Sequence, residues 1–168
     1  KNGPDVKIFS SKSGVRTALN QILRDKKITY VHGSMQKFEE KMESFYEIWN
    51  ARRVKEKIKL NVLSNEMISL DFAEVDILPE EDKSSITTFT FGNKVIIALW
   101  ADIPIAIHIE SEDIAKDNIS LFKTIWDREI RIYSGLDGIL KAFFELVSKK
   151  TSTHLGIGYS WALAKVYG

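Results

Sequence analysis

Apolar residues recur along the chain with two different periods. In three segments they return every three or four positions, which places them on one face of an α-helix. In seven shorter segments they alternate with polar residues or form a short continuous run, as they do in β-strands. The predicted helices cover residues 15–26, 38–57 and 111–126; the predicted strands cover residues 6–9, 28–32, 58–62, 75–77, 86–91, 94–100 and 105–109. Residues 64–73 fit neither period.

Short polar residues and glycines mark the ends of these elements. Ser13, Ser34 and Ser111 are predicted N-caps, because a serine hydroxyl accepts a hydrogen bond from a free N–H of the first helical turn. Gly92 and Asn93 separate two strands and suit the positive φ angles of a tight hairpin turn. The order is βαβαβ, then antiparallel strands, then a helix. We therefore predict an α/β fold with one mixed sheet flanked by helices.

Composition and charge narrow the class of protein. The chain has 168 residues with a formal net charge of +1, so no global field draws it to nucleic acid or to a membrane surface. It contains no cysteine, which excludes disulfides, thiolate metal sites and thiol nucleophiles. No apolar run approaches the roughly 20 residues that span a bilayer. We therefore expect a cytoplasmic protein without membrane contact, and, because the first residue is Lys1, a further segment upstream.

The end of the chain repeats its beginning. Residues 130–150 align with residues 6–26, and most of the non-identical pairs are conservative. The identical pairs are Ile8 with Ile132, Ser10 with Ser134, Gly14 with Gly138, Ala18 with Ala142 and Lys26 with Lys150. All amphipathic strand–helix units share some similarity, so chance is one explanation. The other is a domain at residues 1–128 followed by a partial repeat, strand–helix–strand, at residues 129–168. Such a fragment must pack on the first copy or on a partner chain, because it is too small to bury its own sheet.

A series of segments resembles the C-terminal domain of archaeal TrmB-type transcription regulators, whose fold is like phospholipase D. They are IFSSKSGVRTALNQIL, ITYVHGS, FYEIWNARRVKEKIKLNV, AEVDILPEE, TTFTFGNKVIIALWADIPIAIHIES and FKTIW, and they lie within residues 6–128. The resemblance implies a phospholipase-D-like effector domain. Members of the family usually carry a winged helix-turn-helix before this domain, and this chain has none. DNA binding is therefore expected only through a domain that is absent here.

The resemblance also tests catalysis. Phospholipase D enzymes carry His-x-Lys followed four residues later by Asp, on a strand that leads into a turn like Gly92-Asn93. In this chain the corresponding residues, 85–90, contain neither histidine nor lysine. Without the histidine there is no nucleophile for a covalent phosphohistidine. We therefore predict a non-catalytic protein with no cofactor and no metal site.

Four groups of residues are candidates for ligand binding, and each has a structural alternative. His32 and Ser34 precede a helix whose free N–H groups could bind an anion, or the serine could simply cap that helix. Thr87, Thr88 and Thr90 could line the remnant of a catalytic cleft, or reflect the preference of threonine for strands. The other two groups are the basic cluster, represented by Arg52 and Arg53, which could grip phosphates or be a solvated helix end, and Trp100, which could stack on a sugar or belong to the core. His108, which alternates with isoleucines, is expected to be exposed.

The sequence thus favours the effector domain of a transcription regulator, which binds a small molecule such as a sugar or phosphorylated metabolite, or mediates homodimerisation. Two alternatives stay open. One is a standalone interaction module that dimerises through its C-terminal segment, since exchanging such a segment is a low-cost route to a dimer. The other is a diverged phosphodiesterase whose nucleophile the sequence does not reveal.

Overall fold

The computed structural model describes residues 3–66, 68–78 and 84–127, together with residues 139, 140 and 143. One seven-stranded sheet organises these residues. The elements in chain order are β1 (Asp5–Ser10), α1 (Ser11–Asp25), β2 (Thr29–Gly33), α2 (Met35–Met42), α3 (Ser44–Lys55), β3 (Leu60–Ser64), β4 (Ala73–Ile77), β5 (Ile86–Phe91), β6 (Lys94–Leu99), β7 (Ile105–Glu110) and α4 (Glu112–Trp126). All seven predicted strands are present.

The sheet is mixed, as predicted. Its order is β1-β7-β6-β5-β2-β3-β4. The neighbours β2, β3 and β4 run parallel, and every other neighbouring pair is antiparallel. β1 does not lie beside β2, although one helix joins them; it forms an edge of the sheet next to β7. The prediction of an α/β fold with a mixed sheet flanked by helices is therefore confirmed.

The two faces of the sheet have different coverings. The inner face carries α1, α2 and α3, and most of the core lies beneath them. Phe38 is at its centre, in ring contact with Trp49, Phe89 and Trp100. The outer face carries α4, which packs on β2, β5 and β6. This division decides which side chains of each strand are buried.

Local sequence signals located some helix ends correctly and missed others. The hydroxyls of Ser34 and Ser111 accept hydrogen bonds from N–H groups three residues later, so both predicted caps are confirmed. The predicted Ser13 cap is wrong, because α1 already begins at Ser11 and its N-cap is Ser10. The long helix predicted at residues 38–57 is two helices, since the backbone turns at Glu43, whose φ is 46°.

The predicted partial repeat lies largely outside the described residues, so the domain division at residue 128 stays a prediction. Of that segment only Ile139, Leu140 and Phe143 are described; all three are helical and exposed. Among the residues the structure describes, no helix combines the length and the apolar character needed to cross a lipid bilayer.

Candidate functional site

The β5–β6 hairpin divides the candidate threonines between the two faces of the sheet. The hairpin turns at Gly92, whose φ of 53° is positive as predicted, whereas the positive φ predicted for Asn93 is not found. Thr88 and Thr90 point to the outer face, where α4 lies, and Thr87 points to the inner face. Strand alternation alone produces this division. The three threonines therefore do not form one site.

A small cleft separates α4 from the outer face of β2 and β5. Its volume is about 50 Å³, which is room for a few water molecules or one small polar group. Three of the predicted site residues line it, namely His32, Thr88 and Thr90. Six lining residues were not predicted: Tyr30, Leu63, Asn118, Leu121, Phe122 and Ile125.

The polar groups of the cleft carry no formal positive charge at neutral pH. Burial lowers the pKa of the His32 imidazole below its ordinary value of 6.5, so the ring is mostly neutral at pH 7. No lysine, arginine, aspartate or glutamate is among the lining residues. Asn118 uses its Nδ2 group to donate to the backbone carbonyl of Ile114 within α4. The cleft thus offers neutral donors and acceptors, an environment suited to hydroxyl groups.

The N-terminus of α2, one of the candidate anion sites, is already occupied by a carboxylate of the protein itself. Glu66 accepts hydrogen bonds from the Ser34 hydroxyl (2.5 Å) and from the backbone N–H of Gln36 in the first turn of α2 (3.2 Å). The same hydroxyl accepts from the N–H of Lys37 at 2.9 Å. A carboxylate at this end of a helix is favoured by the helix dipole. Ser34 thus has an internal capping role, and His32 is oriented toward the cleft instead.

Thr87 and Trp100 form an internal link on the inner face. The indole Nε1 donates to the Thr87 hydroxyl (2.8 Å), which itself donates to the carbonyl of Ser34 (2.7 Å). The Trp100 ring stacks on Phe38 with centroids 5.2 Å apart. Both side chains are buried, and the link ties the start of α2 to β5 and to the end of β6.

The two arginines that represent the basic cluster have different environments. Arg52 is exposed and pairs with Glu56 at 2.9 Å. Arg53 is fully buried, and burial lowers the pKa of its guanidinium below the usual value. It donates five hydrogen bonds, two to the side chain of Asn50 and one to each of three backbone carbonyls, those of Ile58, Asp71 and Phe72. α3 packs on the inner face, so neither arginine reaches the cleft.

His108 is not exposed, contrary to the prediction. It points to the inner face with only 5% of its surface accessible, and neither ring nitrogen has a hydrogen-bond partner in the described part of the chain. Burial, with a contribution from Lys94, lowers the pKa of the imidazole. The alternation with isoleucines was correct; the isoleucines, not the histidine, face the sparsely covered side.

We expect His108→Leu to raise the free energy of unfolding by about 1 kcal/mol at pH 7, because leucine has no polar atom to desolvate. The gain grows between pH 7 and pH 5. The folded protein binds this proton less readily than the unfolded chain, so the wild type loses stability as the pH falls below 6.5. Urea unfolding at both pH values measures the difference, with Ile48→Leu, at a position 68% exposed on α3, as the control. A variant less stable than the wild type at both values would contradict this account.

In the described ranges, no three side chains of the metal-binding types are close enough together to hold a metal ion.

No protein-family model matches the sequence, and no curated protein matches it significantly. Solved structures do match. Nuc from Salmonella typhimurium, a phospholipase D family member, is similar with a TM-score of 0.52 and 10% identity, over 77% of this chain and 100% of that one. NucT from Helicobacter pylori is similar with a TM-score of 0.52 and 8% identity, over 74% and 97%. The chromatin protein TrmBL2, whose structure is described as showing a novel mode of DNA binding in an archaeal protein, has a TM-score of 0.49 and 10% identity over 73% of this chain. The chain spans 52% of TrmBL2.

At these identities the likeness concerns the fold alone. The architecture is phospholipase-D-like, as the order of sequence segments predicted, and Nuc and NucT carry that conclusion.

Proposed function

We propose that this chain is a non-catalytic, phospholipase-D-like effector domain of a transcription regulator, and that it binds a small polar molecule in the cleft between α4 and the outer face. The observation that carries the proposal is the composition of the cleft. It lies on β5, the strand on which the resemblance places the catalytic residues of phospholipase D. There the chain has Thr88 and Thr90 facing the cleft, and no histidine or lysine among residues 85–90.

The chemistry of the cleft favours an uncharged, hydroxylated ligand over a phosphorylated one. Phosphate is normally bound by arginine, lysine or a free helix N-terminus. Here the lining residues include no cation, and Glu66 occupies the N-terminus of α2. Thr88, Thr90 and a neutral His32 match the hydroxyls of a sugar, and Tyr30 and Phe122, in edge contact at 5.2 Å, supply an aromatic wall.

Because the cleft is small, binding of a ligand would have to move α4. A cleft of about 50 Å³ holds only part of a sugar, so a whole ring requires α4 to shift on the sheet. α4 packs mainly on three strands, β2, β5 and β6. A ligand that binds the shifted arrangement more tightly would move the equilibrium between the two, which is what an effector domain needs.

We expect one class of small sugar, screened beside sugar phosphates and nucleotides, to raise the melting temperature. At 100 times the Kd the rise should be about 5 °C or more for a domain of this size. Thr88→Val should abolish the rise, since valine keeps the shape of threonine but loses the hydroxyl. Thr124→Val, at an exposed position of α4, is the matched control and should keep it.

Two results would overturn the proposal. One is a full screen in which no compound shifts the melting temperature of the wild type. The other is hydrolysis of bis-nitrophenyl phosphate by the wild type and its loss in His32→Ala, which would show a diverged phosphodiesterase acting from the same cleft.

A further inference from the structure

One end of the sheet gathers basic side chains from separate parts of the chain. β2 and β3 run parallel and begin side by side, with Thr29 opposite Leu60. The helices that precede them, α1 and α3, therefore finish at the same end, where Lys26 and Arg52 contact the carboxylate of Glu56 at 3.3 and 2.9 Å. The start of β6, just after the hairpin turn, lies there too. We call eight residues the basic end: Arg24, Lys26, Lys27, Arg52, Lys55, Lys57, Lys59 and Lys94.

The basic end concentrates charge that the chain as a whole does not show. It holds eight of the 24 lysine and arginine residues of the chain. Four of the 23 acidic residues lie beside it in the described part of the chain, namely Asp25, Glu56, Asp71 and Glu74. Eight positive and four negative charges give +4, which leaves −3 for all other residues of a chain whose total is +1. The small net charge therefore conceals a local positive field.

Four cations of the basic end have no carboxylate partner among the residues that the structure describes. They are Arg24, Lys27, Lys55 and Lys57, and all four side chains are exposed. The other four each contact a carboxylate within 3.3 Å. The unpaired cations are thus available to an anionic ligand without the loss of an ion pair inside the protein.

Two lysines of the basic end occupy backbone positions that favour glycine. Lys26 follows α1 with a φ of 52°, and Lys57 follows α3 with a φ of 56°. A side chain costs stability in this left-handed region, so glycine is the usual residue where a helix ends in this way. The helix dipole accounts for cations in the last turns, such as Arg24 and Lys55, but it does not require lysine at the strained positions. Strained residues of this kind are found preferentially at functional sites.

We propose that the basic end binds the phosphate backbone of a nucleic acid through charge, without reading the base sequence. From Lys94 to Lys59 it crosses β6, β5, β2 and β3, which is about 14 Å at the usual spacing of strands. One strand of a duplex carries a phosphate about every 3.4 Å along its axis, so about four phosphates match this width. Lysine and arginine contacts to phosphates fix position and affinity but carry no sequence information.

The proposed surface is distinct from the cleft, because none of its residues lines the cleft. It goes beyond the proposed effector role, in which contact with DNA was expected only through a domain that is absent here. The basic end would give this domain a weak contact of its own.

The shape of the charged region favours a nucleic acid over an anionic membrane. Past the hairpin turn the same end is acidic, and the acidic residues around Asn93 are Glu110, Glu112 and Asp113. A flat membrane laid against this end would meet both parts, whereas a nucleic-acid strand can follow the basic part alone. Interfacial binding to a membrane also uses a broad apolar face. Beside the basic end, the large exposed apolar side chains of the described residues are two, Ile28 and Phe72.

Fluorescence anisotropy with a labelled duplex of about 16 base pairs and random sequence tests the proposal on the full chain. The wild type should bind with a Kd on the order of 10 μM at roughly 50 mM NaCl, and about four phosphate contacts predict an about tenfold loss of affinity at roughly 100 mM. The double variant Lys27→Gln, Lys57→Gln should bind about tenfold more weakly or worse, with roughly half the salt dependence. The matched control is Lys116→Gln with Lys123→Gln, which makes the same change in charge at exposed positions of α4. It should change the affinity less than about twofold.

Lys57→Gly separates binding from a structural role. Glycine suits the φ of 56°, so the melting temperature should stay the same or rise. Binding to the duplex should nevertheless weaken about threefold or more, because one phosphate contact is lost. A variant that is more stable than the wild type and binds equally well would contradict the proposal.

Three further results would overturn it. One is a wild type that does not bind the duplex at the lower salt concentration. Another is a loss of affinity in the Lys27 and Lys57 double variant no greater than in the control. The third is binding to vesicles that contain phosphatidylserine in place of binding to DNA. The cleft is tested separately, since the double variant should keep the melting-temperature rise with a sugar and Thr88→Val should keep the affinity for DNA.

Discussion

Replacing Gly33 with alanine should lower the free energy of unfolding by about 3 kcal/mol or more, the largest effect expected at any of the glycines that the structure describes. Gly33 has a φ of 119°, a conformation that residues with a side chain rarely adopt. An added Cβ would also overlap the carbonyl oxygen of Ile86, and it would lie 3.1 Å from the Cα of Thr87. Both atoms belong to the backbone of β5, so neither can rotate away.

Two other glycines give the controls for this substitution. A Cβ on Gly3 meets nothing within 4 Å, so alanine there should leave stability unchanged. Gly92 also has a positive φ but nearly open space around it, so alanine there should cost about 1 kcal/mol from backbone strain alone. Chemical denaturation of the three variants measures the series. If Gly33→Ala is no worse than Gly92→Ala, the close approach of β2 to β5 is not as described.

The substitution should also disturb the candidate site. Gly33 lies between His32, which lines the cleft, and Ser34, which caps α2. A displaced β2 would therefore widen the cleft and strain the contact of Ser34 with Thr87 at the same time.

Arg53→Met should destabilise the protein by about 3 kcal/mol or more, because it removes all five hydrogen bonds of a fully buried guanidinium, among them a buried one to the carbonyl of Ile58. Methionine fills a similar volume but donates no hydrogen bond. The carbonyls of Ile58, Asp71 and Phe72 would then lose their contacts with the guanidinium. Arg53→Lys should also be destabilising, since one ammonium group cannot reproduce five donors in a planar fork.

The neighbouring residue is a close control for this prediction. Arg52 has the same chemistry but is exposed, and its pair with Glu56 lies at the surface. Arg52→Met should therefore cost less than about 1 kcal/mol. Urea unfolding of both variants is the measurement. Equal effects at the two positions would show that the buried hydrogen bonds of Arg53 do not matter as described.

The sequence predicted where the strands lie along the chain better than it predicted which strands pair in the sheet. Period and turn residues located every strand and the hairpin because both signals are local. The position of β1 was not available from them, since its pairing with β7 depends on contacts a hundred residues apart in the chain. The error on His108 has the same origin. Alternation correctly separated it from the isoleucines, but which side is buried depends on where α1 packs.

The candidate site was predicted in part for related reasons. His32, Thr88 and Thr90 line one cleft because β2 and β5 are neighbours and these residues share a face. Asn118 was missed, although a polar residue interrupts the apolar side of α4 there. Arg53 could have been recognised as internal, because it continues the spacing of the buried Tyr46 and Trp49 along α3.

The segment between β3 and β4 is anchored at both ends. Glu66 holds its start to the first turn of α2, and Arg53 holds the carbonyls of Asp71 and Phe72 at its end. A connection fixed in this way cannot open by itself; it must release a helix cap and a buried guanidinium together. In terms of local unfolding, it belongs to the same cooperative unit as α2 and α3. This irregular stretch should therefore exchange its amide protons, and be cleaved by proteases, as slowly as the helices beside it.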